Sequence, residues 1–225
     1  MDATDPRGPD PQVSLLQEEA QLRAWVEKIC AHLGQDHGQG LRALTECLRR
    51  GYTLLFPALR RLAQEGEESP RRALVQAIGE AADPADPFRA AFLLELLSPL
   101  LWDPVPEIRR AARRTLREKL LAVYPGEALE ALVQWAAEPE AARQALAAQM
   151  LGHVPPRAAR RALIALKPLA HSREPRVRRA VLAALRRLAQ TAPEPVNAEL
   201  RRWREDPGLA PIAQRLLDGK EFAQR

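Results

Sequence analysis

The sequence predicts an all-α chain, a solenoid of paired helices numbering about ten to twelve. Three observations carry this. Ala and Leu dominate an apolar content of 46%, while aromatics reach only 4%, and these two residues are the best helix formers of the apolar set. β-branched residues are few, which argues against a large sheet, so no strands are expected. Prolines recur in like contexts at Pro70, Pro106, Pro139, Pro175 and Pro207, with spacings of 36, 33, 36 and 32 residues.

Taken in order, residues 1–13 read as a disordered tail, without the basic and apolar regions of a signal peptide. Ser14 with Gln17 makes a capping box for a helix running to about Leu33. Gln35 to Gly40 reads as a loop, Leu41 to Arg50 as a helix stopped by Gly51 as C-cap, and Tyr52 to Gln64 as a helix interrupted before Pro57. Residues 14–66 would then be a polar cap plus one degenerate repeat, residues 67–218 the repeats proper, and residues 219–225 a second tail.

The repeats open on Ser69-Pro70-Arg71-Arg72-Ala73, Pro106-Glu107-Ile108-Arg109-Arg110-Ala111, Glu138-Pro139-Glu140-Ala141-Ala142-Arg143 and Glu174-Pro175-Arg176-Val177-Arg178-Arg179-Ala180. Pro suits a first helical turn because its missing N–H would have no partner there. The nearby Ser and Glu can accept from free amides or offset the helix dipole. After Pro175 the apolar positions are Val177, Ala180, Val181, Ala184, Leu185 and Leu188, the stripe of an amphipathic helix. Ile108, Ala111, Ala112, Leu116 and Leu120 repeat it after Pro106. A second helix series alternates with the first: Phe88 to Leu97, Glu127 to Ala137, Arg157 to Ala170, and Val196 to Arg204 after Pro195. Two helices per roughly 34 residues is the α-solenoid pattern. The run Asp103-Pro104-Val105-Pro106-Glu107-Ile108-Arg109-Arg110-Ala111 resembles HEAT repeats, whereas the Trp, Leu-Gly and Tyr signature of tetratricopeptide repeats is missing.

The net charge of +5 is unevenly spread. Residues 1–66 carry net −1, residues 67–140 net −4, and residues 141–225, with 17 basic and 7 acidic groups, net +10. A basic C-terminal third points to an acidic or polyanionic partner. The chain has no apolar run of the length a membrane span needs. Two cysteines are not a disulfide framework, so a cytoplasmic location is the expectation.

Two arginine clusters stand out: Arg109, Arg110, Arg113, Arg114 and Arg117, and Arg176, Arg178, Arg179, Arg186 and Arg187. Second helices of HEAT repeats line a concave side, which would turn both clusters toward one groove. One reading is a partner- or phosphate-binding surface. The other is a solvated helix face paired with acids such as Glu107 and Glu118. The arginines after Ile108 and Val177 would, as in HEAT repeats, bond a neighbouring repeat's Asp.

Cys30, His32, His37 and Cys47 could complete a tetrahedral zinc site, but their spacing matches no standard ligand pattern. Cys30 and Cys47 also sit at apolar-stripe positions, so neither metal nor cofactor is expected. Trp102 with Asp103, and Trp135 with Glu138, would form an aromatic and acidic groove, or else Trp25, Trp102, Trp135 and Trp203 fill gaps between repeats. There is no Gly-rich phosphate loop, no H-E-x-x-H and no G-x-S-x-G. His153 and His171 fall near helix ends with no nucleophile close in sequence.

The segment from Val177 through Ala184, Leu185, Arg186, Arg187, Leu188, Pro193, Glu194, Pro195, Leu200, Arg201, Arg202, Trp203 and Asp206 to Pro207 resembles the HEAT-like repeats of bacterial alkylpurine DNA glycosylases. The resemblance implies a helical solenoid and a grip on duplex DNA by its backbone. That family's activity uses an Asp with Trp residues lining the groove. Trp102 and Asp103 are adjacent rather than a helical turn apart, so the catalytic arrangement does not carry over. The leading reading is therefore a non-catalytic scaffold holding a macromolecular partner, foremost another protein. The alternative is sequence-nonspecific duplex DNA binding linked to alkylation repair. Neither a membrane nor a catalytic residue enters either reading.

Overall fold

The computed structural model describes residues 37–50 and 55–218, together with positions 21, 24–26, 28 and 29. The two expected tails, the Gly51 cap and most of the expected helix from Ser14 to Leu33 lie outside the described residues. Between His37 and Asp218 the described residues form twelve α-helices and no strand. The first five are α1 (His37–Arg50), α2 (Phe56–Glu65), α3 (Glu68–Ala81), α4 (Arg89–Leu100) and α5 (Pro106–Thr115). A π-helical turn, Leu116–Leu120, joins α5 to α6 (Leu121–Val123). There follow α7 (Pro125–Ala137), α8 (Ala141–Leu151), a 3-10 turn (Pro156–Ala158), α9 (Ala159–Ala170), α10 (Pro175–Thr191), α11 (Pro193–Trp203) and α12 (Ala210–Asp218). No helix among the described residues is long and apolar enough to cross a membrane.

The chain divides into two compact units, Met1–Leu116 and Arg117–Arg225, and the division falls inside the π-helical turn. In the first unit α3 packs between α1 and α5, and α2 lies against α4. Ala73, Ala77 and Ala81 recur every four residues along α3 and are fully buried, so the backbone can approach its neighbours closely. Leu44, Leu48, Leu59, Leu93 and Leu97 fill the space around them. Arg89, at the start of α4, ties the helix ends together. Its guanidinium donates to the Ala81 carbonyl at 3.1 Å and the Arg49 carbonyl at 2.5 Å, and pairs with Asp86 at 2.8 Å. A cation at these C-termini satisfies orphan carbonyls and meets the negative end of each helix dipole.

In the second unit α8 packs on α7 and α10, α9 on α7 and α11, and α12 on α11. A Cβ on Gly152, just past α8, would stand 2.7 Å from the Ala184 Cα. The end of α8 and the middle of α10 are thus in near backbone contact, which only Gly permits. Val177, Val181, Ala184, Leu185 and Leu188 on α10 are all buried, as their spacing predicts.

The internal repeat has a side-chain signature. Arg109, Gln144 and Arg178 each reach back to the carbonyl six residues earlier: Asp103 at 2.5 Å, Glu138 at 2.8 Å and Ser172 at 3.0 Å. Three of the loops also open on a side chain that accepts the amide two residues on, namely Asp103 from Val105, Ser172 from Glu174 and Asp206 from Gly208. Positions 103, 138, 172 and 206 are 35, 34 and 34 residues apart.

Pro106 and Pro175 open their helices, and Pro70 sits in the first turn of α3. Some boundaries differ from the sequence reading. Residues 37–40 are helical rather than loop, because the apolar stripe of α1 continues through Leu41 and Leu44 and carries the two glycines with it. Pro139 precedes α8 by two residues. Pro193 rather than Pro195 opens α11, since both prolines fit within one first turn. Both α4 and α9 hold a proline in their last turn, Pro99 and Pro168, and α4 runs on to Leu100.

Candidate functional site

The arginines of α5 are largely engaged. Arg109 closes its own loop on the Asp103 and Pro104 carbonyls. Arg110 pairs with Glu107 at 2.5 Å, and Arg117, on the π-helical turn, pairs with Glu118. Arg113 lies over the Trp102 ring, 5.9 Å from its centroid, where the ring quadrupole attracts the cation. Its Nε is buried without a partner among the described residues, and burial, then the neighbouring Arg109, lowers its pKa. Arg114 is exposed.

The expectation that Arg109 and Arg178 bond a neighbouring repeat's Asp is not met. Both bond carbonyls of their own loop, and in the second unit Asp206 of the next loop is held by His171 at 3.2 Å instead. The cross-repeat bond is made by Arg71. Its Nε and Nη2 donate to the two Asp103 carboxylate oxygens at 2.8 and 3.2 Å. Asp103 is buried and its oxygens also receive the Val105 amide, so it is not available as an acid beside Trp102. Glu138 is likewise drawn to Arg143 rather than left beside Trp135. Trp203 is fully buried, with its indole N–H donating to Glu199 at 3.0 Å.

The arginines of α10 present a different picture. Arg176, Arg178, Arg179, Arg186 and Arg187 are all exposed. Arg178 is tied to the Ser172 and Arg173 carbonyls, and Arg179 to the Pro175 carbonyl. Among the described residues no carboxylate forms an ion pair with Arg176, Arg179 or Arg187. Arg187 instead faces His153: its Nη1 lies 3.3 Å from Nδ1. A guanidinium only donates, so Nδ1 accepts and the ring proton sits on Nε2. Burial, then Arg187, then Arg117 pull the His153 pKa down to about 4. This contact was not foreseen in the sequence. Its signal was the 34-residue separation of the two positions, one repeat length.

Between α9 and α11 a groove of about 390 Å³ is lined by Leu163, Ile164, Pro195 and Ala198, with Arg160, Arg202, Glu194 and Glu199 around it, Arg202 being paired with Glu199. Ile164 is 70% exposed there. Cys47 is buried, and burial pushes its thiol up to about 12. Cys30, His32 and the His37 side chain lie outside the described residues. Among the described residues no group of three or more His, Cys, Asp or Glu could hold a metal ion.

No family model matches the chain, and no curated protein matches it. Among solved structures, the crystal structure of an engineered protein aligns with 88% of this chain and 96% of its own length, at 17% identity and a TM-score of 0.41. A likeness at that level carries no argument about function.

Proposed function

We propose that the chain is a non-catalytic HEAT-repeat module that holds an acidic protein partner, with α10 as the principal contact. The observation that carries this is that Arg176, Arg179 and Arg187 are exposed on α10 and form no ion pair with a carboxylate among the described residues. Elsewhere the acids and bases pair locally at helical spacing, as in Arg50–Glu46, Arg61–Glu65 and Arg72–Glu68. Unpaired guanidiniums at an exposed surface suit an acidic partner, since Arg presents a rigid fork of donors to carboxylates. The exposed Ile164 beside Arg160 and Arg202 favours a protein, because an apolar anchor within a charged rim is a protein-interface feature. The repeat closures at Arg109, Gln144 and Arg178 support the HEAT assignment.

The second reading is sequence-nonspecific binding of duplex DNA, which the net +10 of residues 141–225 favours. Salt dependence separates the two. Partners retained by the wild type but not by a variant with Arg176, Arg179, Arg186 and Arg187 changed to Glu would be purified and titrated back at two salt concentrations. The expected result is a protein whose affinity persists at physiological salt, while duplex DNA binds only at low salt. Duplex DNA binding that persists at physiological salt, with a log–log slope of about −4 or steeper, would reverse the order of the two readings.

A further inference from the structure

The groove between α9 and α11 is built from two pairs of matching positions. Arg160 and Ile164 stand one turn apart on α9, and Glu194 and Ala198 stand one turn apart on α11. From 160 to 194 and from 164 to 198 the offset is 34 residues, one repeat length. Because α9 and α11 are corresponding helices of successive repeats, each pair lies at one level of the groove. All four residues are exposed, and Ile164 is so to 70%. Neither Arg160 nor Glu194 forms an ion pair among the described residues. Glu199, the other acid beside Arg160, is taken: it accepts from Arg202 at 3.2 Å and from the Trp203 indole at 3.0 Å. Arg160 also sits in the first turn of α9, where the helix dipole disfavours a cation and no acid of the same turn offsets it.

We infer that this groove is the interface of a homodimer, and that its occupant is the same groove of a second copy of the chain. A two-fold axis running along the groove, between the two helices, lays α9 of one copy on α11 of the other. Arg160 then meets Glu194 of the second copy, and the reciprocal pair forms at the same time, as an isologous contact requires. Each copy so receives the two counter-charges that it lacks by itself. One turn on, Ile164 meets Ala198 of the second copy, where the small side chain leaves room for the large one, and this contact too is made twice. Ile is β-branched and stiff, so it gives up little rotamer freedom on docking. Matching of charge with charge and of large with small, both at the same offset, favours a second copy over an unrelated protein. The inference goes beyond the α10 reading and does not depend on it: it says which protein the groove takes, and α10 has no part in that contact.

The test is sedimentation velocity of the full chain over a concentration series reaching about 500 μM, since a contact of this small size is expected to give a Kd of about 10–100 μM. Ile164→Asp should weaken dimerisation about 30-fold or more, because it seats a charge on the apolar contact. Arg160→Glu and Glu194→Arg each set like charges opposite one another twice, and each should weaken it about tenfold or more. An equimolar mixture of those two variants restores opposite charges at both places, so it should dimerise within about threefold of the wild-type affinity although neither variant does so alone. The recovery in the mixture also shows that both variants are folded. A wild type that stays monomeric throughout would overturn the inference and leave the groove to an unrelated protein. So would a dimer that Ile164→Asp leaves intact, or a mixture that stays monomeric. Dimerisation is measured without the acidic partner, so the inference can fail while the α10 reading stands. Conversely, a sound dimer whose α10 arginine variant keeps every partner would sink that reading alone.

Discussion

Arg71 and Asp103 form a two-point ion pair between α3 and the loop before α5, Nε to Oδ2 at 2.8 Å and Nη2 to Oδ1 at 3.2 Å, with the two side chains 13% and 2% exposed. Arg71 also donates to the Gly66 carbonyl, and Asp103 also accepts the Val105 amide. Each partner is thus held by its own chain segment as well as by the other. Pairs this far from water are costly to break from one side, because the remaining charge is left unmatched.

Asp103→Ala is therefore expected to lower stability by about 3 kcal/mol. Asp103→Asn keeps an acceptor for the Val105 amide and should recover part of that. Urea unfolding midpoints measure both; a loss under about 1 kcal/mol for Asp103→Ala would mark the pair as a screened surface contact.

Gly152→Ala should force α8 and α10 apart, since the new methyl would lie 2.7 Å from the Ala184 Cα. Overpacking of this kind costs about 1–3 kcal/mol. The substitution should also separate His153 from Arg187 and let the ring titrate closer to its ordinary range. Unchanged stability together with an unchanged His153 titration would refute the close contact.

His153 makes stability depend on pH in a defined direction. The ring protonates near 6.5 when unfolded but only near 4 in the fold. The unfolded chain therefore takes up the proton first, so this contribution is complete above pH 6.5 and is lost as pH falls toward 4. The ring is half-exposed, so solvent screening keeps the effect to roughly 1 kcal/mol. His153→Gln should flatten the dependence of the urea midpoint over that range. A slope that the substitution leaves unaltered would assign it to other groups.

Cys47 should be chemically silent in the fold. Its thiol is buried and raised to about 12, and thiolate is the reactive form. In a Cys30→Ser background, modification by a thiol reagent at pH 8 is expected only at the rate of opening, and at least about 100-fold faster in denaturant. Equal rates in both conditions would place Cys47 at the surface.

Much of the architecture is legible in the chain itself. Pro106 and Pro175 mark helix starts because the missing N–H of proline would have no partner in a first turn, and the Val177 to Leu188 stripe follows from helical phase. Where two prolines share one turn, as Pro193 and Pro195 do, the local rule fits either, and the helix takes the earlier start. Gly38 and Gly40 read as breakers, yet the neighbouring leucines hold them in α1. Arg71 and Arg109 carry the same residue type in similar sequence contexts but end on different acceptors, Arg71 on the Asp103 carboxylate and Arg109 on the Asp103 carbonyl, a choice that tertiary packing makes. The His153 contact depends on a glycine letting two backbones touch, which no local pattern announces.

The loops that close on themselves through Arg109, Gln144 and Arg178 have an evolutionary consequence. Each repeat brings the donor for its own turn, so this joint needs no particular neighbour to be complete. A chain jointed in this way can lengthen or shorten by whole copies of about 34 residues while every turn stays satisfied. New surface can then be added to such a molecule by duplication, leaving the existing joints unedited.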